Sequence, residues 1–124
     1  NTRAEPIETP EPIAEVIKDS AIHTPSINAV DLTGLLERIG DARVELLCEA
    51  SLGTAEFYEM RARISKELIQ HKGFQHIAVE ADWPDAAQID HFIRNSRSEP
   101  TAQRTFNRFP SWMWANRQVL EFVK

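Results

Sequence analysis

Two glutamates stand where chemistry is easiest to build. Glu49 closes the apolar run Val44 to Cys48, and Glu80 closes the run Phe74 to Val79. Each is followed by small or helix-starting residues. Read as buried strands, the runs end at the carboxyl edge of a parallel sheet, where open α/β folds place their chemistry. Neighbouring carboxylates at such an edge can split their pKa values, or jointly orient a base, a water or a cation. The plainer reading is that each glutamate caps the helix that follows it. Arg61, one helical turn beyond Phe57, has a side chain long enough to reach back to Glu49 or Glu80. An exposed pairing with Glu56 or Glu59 is the alternative.

Other reactive side chains offer less. Cys48, the only cysteine, lies beside a carboxylate that disfavours the thiolate, and it reads as a small buried residue. Ser51 lacks a Gly-x-Ser-x-Gly elbow and an adjacent histidine, and Gly53 alone makes no phosphate loop. His23, His71, His76 and His91 show no metal-ligand spacing and read as structural or solvent-exposed. No metal and no cofactor are expected. Trp83, Trp112, Trp114, Phe106 and Phe109, with Met113, enrich the second half in large apolar side chains. Core packing is their default use, with some surface left exposed.

The elements that must hold these residues can be read in order. Residues 1–11, with Pro6 and Pro10 among Glu5, Glu8 and Glu11, read as a disordered lead, and 12–124 as one domain. Pro12 to Ser20 suits a short helix carrying Ile13, Val16 and Ile17 on one face. Asp31 can cap a helix to about Ile39 that Gly40 stops. Arg43 to Cys48 is the first expected strand. Thr54 or Ser51 then caps a helix to about Lys72, with Phe57, Met60, Ile64 and Leu68 on one face and Gly73 as its stop. Phe74 to Glu80 is the second expected strand, so the crossover is right-handed and parallel. Asp82 and Pro84 open a helix from about Trp83 to Asn95, with Ile89, Phe92 and Ile93 inward. Ser96 to Pro100 reads as a loop, and Thr101 to Asn107 as a short helix. Ser111 starts a last helix that carries Trp112, Trp114, Val119, Leu120 and Phe122 towards Lys124 without a stop.

The expected fold class is therefore α/β, a three-layer α/β/α arrangement with parallel strands, incomplete because it holds one βαβ unit plus flanking helices. Two strands leave two open edges, whereas a sheet typically has about five or six. The chain reads as the first part of a larger fold, with self-association through exposed sheet edges as a consequence. A net charge of −5 gives no basic face for nucleic acid. No apolar run is long enough to span a membrane, and no signal peptide is visible. A cytoplasmic location is the expectation.

Three runs carry a family resemblance. Cys48-Glu49-Ala50-Ser51-Leu52-Gly53-Thr54-Ala55-Glu56-Phe57-Tyr58 is followed by Val79-Glu80-Ala81-Asp82-Trp83-Pro84-Asp85 and by Phe109-Pro110-Ser111-Trp112-Met113-Trp114-Ala115-Asn116. Their order and spacing resemble the N-terminal portion of the erythromycin esterase-like hydrolases, also labelled succinoglycan biosynthesis proteins. The resemblance implies metal-independent hydrolysis of a small-molecule ester or lactone by an activated water, a chemistry linked to macrolide resistance. It implies that Glu49, Arg61 and Glu80 are site residues, and that further strands and a second histidine come from sequence not present here. Leu52 stands where the family places its catalytic histidine, Ala55 where a second histidine is common, and Cys48 where it has glycine. An inactive relative is the expectation. A non-catalytic ligand-binding or interaction domain is the alternative.

Overall fold

The structure, a computed structural model, describes residues 13–51, 53–95 and 111–124. Leu52, the expected lead 1–11, the loop from Ser96, the helix from Thr101, and Phe106 and Phe109 all lie outside the described residues. The chain divides into two units, Asn1–Val30 and Asp31–Lys124.

In the first unit, helix α1 covers Ile13–Ser20, and a 3-10 turn follows at Ile27–Ala29; Pro12, the expected start, lies outside the described residues. Ile13, Val16 and Ile17 are all exposed, so the apolar face is present but uncovered.

The second unit is built on helices α2 (Thr33–Ile39), α3 (Ala55–Lys72), α4 (Trp83–Asn95), α5 (Ser111–Trp114) and α6 (Arg117–Val123). The C-terminal ends of α2 and α3 follow the sequence signals, whereas Leu32 and Thr54 hold the N-cap positions and neither makes a side-chain cap hydrogen bond. Asp31 accepts the backbone N–H of Thr33 at 2.9 Å, and Gly40 ends α2 at φ 54°. The Thr33 hydroxyl and N–H together hold the Asp31 carboxyl below its ordinary value. Gly73, at φ 72° and ψ 18°, ends α3 in the left-handed conformation that glycine adopts without a Cβ penalty. Its N–H and that of Phe74 both reach the Leu68 carbonyl, which satisfies an otherwise orphaned acceptor.

The parallel sheet is not formed, which corrects the expected α/β class. Among the described residues there is no strand, and both apolar runs are irregular. Val44 and Leu46 are 74% and 80% exposed, and Ile77 and Val79 are exposed too. The physical reason is coverage. A parallel ladder is stable when helices bury both of its faces, and two strands offer little area to bury. Without that burial, a net gain of about 0.5–1.5 kcal/mol per hydrogen bond does not offset the backbone entropy. The βαβ pattern is legible, but its helix packs on other helices.

Spine α3 packs against α2 and α6. Leu68 is buried and Met60 and Ile64 half-buried, while Phe57 is exposed. Lys66 of α3 lies over the Phe122 ring of α6 at 6.0 Å, and Lys72 donates to the Gly40 carbonyl at 3.1 Å. The apolar centre is small. Among the described residues, Leu32, Leu68, Met113 and Trp114 are buried, and Ala81, Ile89 and Val119 pack around the last two. Ile93, expected inward, is exposed at the far end of α4.

The last helix is two helices, a second correction. Asn116 breaks it by serving both neighbours: its amide nitrogen donates to the Met113 carbonyl, and its amide oxygen accepts from the Val119 N–H. A residue that caps the next turn cannot continue the previous one. Asn116→Ala is expected to lose about 0.5–2 kcal/mol of stability, read from urea unfolding. A change near zero would show that the break does not depend on this side chain.

Candidate functional site

Of the predicted site residues, Glu49 and Arg61 meet. Glu49 lies in the irregular segment after the first apolar run, and Arg61 lies in the second turn of α3. The Arg61 guanidinium donates to the Glu49 carboxylate across a separation of 12 residues, and the pair is also an ion pair. The two side chains keep 21% and 19% of their surface, so the contact is largely withdrawn from water. The sequence left Glu56 and Glu59 open as partners, and the long-range partner is the one realised.

Tyr58 is the member that sequence reasoning did not single out. It precedes Arg61 by one helical turn, and the guanidinium carbon sits 5.8 Å from the ring centroid. The three-residue spacing from Arg61 was the available signal. Burial pushes the Tyr58 hydroxyl above its ordinary value, opposed by the Arg61 charge and reinforced by that of Glu49. A tyrosine whose pKa is higher folded than unfolded keeps its proton longer in the fold. Its contribution is whole below pH about 10, and stability falls as pH climbs from there through the folded value. Tyr58→Phe is expected to flatten that alkaline slope in thermal unfolding, whereas an unchanged slope would move the effect to other groups.

Glu80 is held differently. Its residue is exposed, and its backbone carbonyl accepts the Trp114 indole N–H at 2.8 Å. Among the described residues, no hydrogen bond or ion pair joins its carboxylate to Glu49 or Arg61. The sheet edge expected to align Glu49 and Glu80 is not formed, since there is no strand among the described residues.

The start of α4 follows the sequence closely. The Asp82 carbonyl accepts the N–H groups of Asp85 and Ala86, both at 3.1 Å, and Asp85 is buried at 4% exposure in the first turn. A carboxylate is favoured there by the helix dipole. Cys48 is exposed rather than buried, since its run is not sandwiched between helices. His23, His76 and His91 are exposed, and His71 faces Glu67 at 3.3 Å on the helix surface. Among the described residues, no group of three metal-ligating side chains comes together. No described helix is long and apolar enough to cross a membrane.

The hydrogen bond from the Trp114 indole to the Glu80 carbonyl joins the second sequence run to the described part of the third. The erythromycin esterase family model matches residues 69–124. Over that stretch the chain is similar to the erythromycin esterase family. The stretch contains Glu80, Asp82 and Trp114, whereas Glu49, Leu52, Tyr58 and Arg61 precede it. The match supports a hydrolase relationship for the chain. No solved structure matches this protein.

Proposed function

We propose that this chain descends from ester and lactone hydrolases, retaining their carboxylate–guanidinium element without the base that drives turnover. The observation carrying this reading is the largely buried Glu49–Arg61 ion pair, built between two positions that the family resemblance marks as site residues. A guanidinium in partial burial can hold an ester carbonyl or a developing oxyanion by charge-assisted hydrogen bonds. Water attack on that carbonyl needs a proton acceptor. Imidazole supplies one near neutral pH, and Leu52 has no lone pair to offer. Loss of a general base typically costs about 100- to 10,000-fold in rate.

The test is direct. Purified chain is incubated with p-nitrophenyl acetate and with a macrocyclic lactone, and product is followed against buffer. No release above background is expected, and Glu49→Gln and Glu80→Gln should leave the traces unchanged. Saturable release that collapses in Glu80→Gln would overturn the inactive reading. A second reading, ligand binding without turnover, is favoured by the one-fifth of the Arg61 side chain that stays exposed beside Tyr58. Isothermal titration with the same two compounds separates the readings: heat of binding without product supports it, and no heat removes it.

A further inference from the structure

The backbone of 43–50 is unpaired among the described residues, while its side chains keep strand order. Among the described residues, no hydrogen bond or ion pair engages positions 43–48. Exposure nevertheless alternates with a period of two. Val44, Leu46, Cys48 and Ala50 are exposed, whereas Glu45, Leu47 and Glu49 are half-buried. An extended backbone gives that period, and a helix does not. The stretch thus presents free donors and acceptors beside an exposed apolar row, the combination that accepts another strand.

We propose that the occupant is the same run of a second copy of this chain, paired antiparallel about a two-fold axis through Leu46. A two-fold antiparallel pair has one choice to make, the residue on the axis. With Leu46 there, Val44 opposes Cys48 of the second copy and Leu46 opposes Leu46, so the exposed row meets only apolar side chains. Arg43, exposed and without a partner among the described residues, opposes Glu49 at both ends of the ribbon. Glu49 keeps Arg61 on its own chain, and a carboxylate has acceptor sites for both guanidiniums. Neighbouring axes are poorer. An axis at Leu47 sets Glu45 against Glu49 twice, and one at Glu45 sets that carboxylate against its own copy, both like-charge pairs. An axis at Cys48 leaves Arg43 with no acidic residue opposite. The ribbon is short, so the dimer forms at high protein concentration and dissociates on dilution.

This register can be read by disulfide trapping. Directly opposed Cα atoms in an antiparallel pair lie about 4.5–5.5 Å apart, within disulfide reach. Val44→Cys, which keeps Cys48, is expected to give covalent dimers on copper–phenanthroline oxidation. Val44→Cys with Cys48→Ser puts the two new thiols about four residues out of register, roughly 13 Å along the strand, and should give none. Wild-type chain, whose Cys48 opposes Val44, should also resist linking. Equal linking in all three variants, linking only in wild type, or no linked dimer in any of them would overturn the proposal. Leu46→Lys sets two ammonium groups on the axis. It alters a side chain that is 80% exposed, so the fold is expected to persist by circular dichroism. Sedimentation velocity should show monomer at every concentration for Leu46→Lys and a concentration-dependent dimer for wild type. A dimer persisting in Leu46→Lys, or a wild-type monomer throughout, would remove the second copy as occupant.

Discussion

Replacing Trp114 with alanine is expected to cost about 3–5 kcal/mol, the largest loss at any described position. Trp114 is 8% exposed and sits in a small apolar cluster with Met113, Ala81, Ile89 and Val119. Truncation removes most of that cluster's contacts and opens a cavity that neighbours can fill only in part. It also removes the indole N–H that holds the Glu80 carbonyl at 2.8 Å. Small domains have about 5–15 kcal/mol in total, so the unfolding transition should broaden or vanish. Trp114→Phe separates the two contributions. It keeps most of the ring volume, loses the donor, and should cost about 0.5–1.5 kcal/mol beyond any packing change, because water can reach an exposed Glu80. Urea titrations followed by far-UV circular dichroism measure both. If the alanine variant unfolds with a wild-type midpoint and slope, Trp114 is not what anchors α5 to the loop at Glu80.

Arg61→Ala should be the next largest loss, about 1–3 kcal/mol. Exposed ion pairs are worth roughly 0–1 kcal/mol and breaking a fully buried one costs about 3–5. The Glu49–Arg61 pair keeps about a fifth of its surface, which places it between those limits. The variant leaves a carboxylate without its partner and uncovers the Tyr58 ring. Because the Arg61 charge lowers the Tyr58 pKa, its removal should raise that pKa further, visible as a later rise in phenolate absorbance. Glu49→Gln should move the same titration the other way. A double-mutant cycle between the two positions isolates the pair itself. Coupling below about 0.3 kcal/mol would show that the ion pair contributes no more than an exposed surface contact.

What the sequence disclosed here was local. The helix spanning Ala55–Lys72, its Gly73 stop, and the helix from Trp83 to Asn95 follow from apolar spacing, glycine stereochemistry and the Asp82–Pro84 entry. These depend on contacts within a few residues, where propensity acts without help. The strands failed because pairing is a property of what lies alongside. The same apolar run that a sandwiched sheet would bury is left exposed at Val44 and Leu46. Arg61 was legible as a long side chain one turn past Phe57, yet its partner was not, because Glu49, Glu56 and Glu59 all stand within sequence reach. Tyr58 was passed over since an aromatic on a helix reads first as core. Asn116 was passed over because a break in a helix is set by a side chain's hydrogen bonds, which periodicity does not register.

Three long-range side-chain hydrogen bonds among the described residues of the second unit differ in the length of chain they span. Glu49–Arg61 bridges 12 residues, Lys72–Gly40 bridges 32, and Trp114–Glu80 bridges 34. Closing the longest costs about 0.9 kcal/mol more loop entropy than closing the shortest. The chain should therefore assemble in an order: α3 with its ion pair early, the tryptophan tie late. Substitution at Arg61 would then slow refolding, whereas substitution at Trp114 would mainly hasten unfolding. Stopped-flow chevrons of the two variants read that order, and a Trp114→Phe variant that slows refolding in full proportion to its lost stability would reverse it.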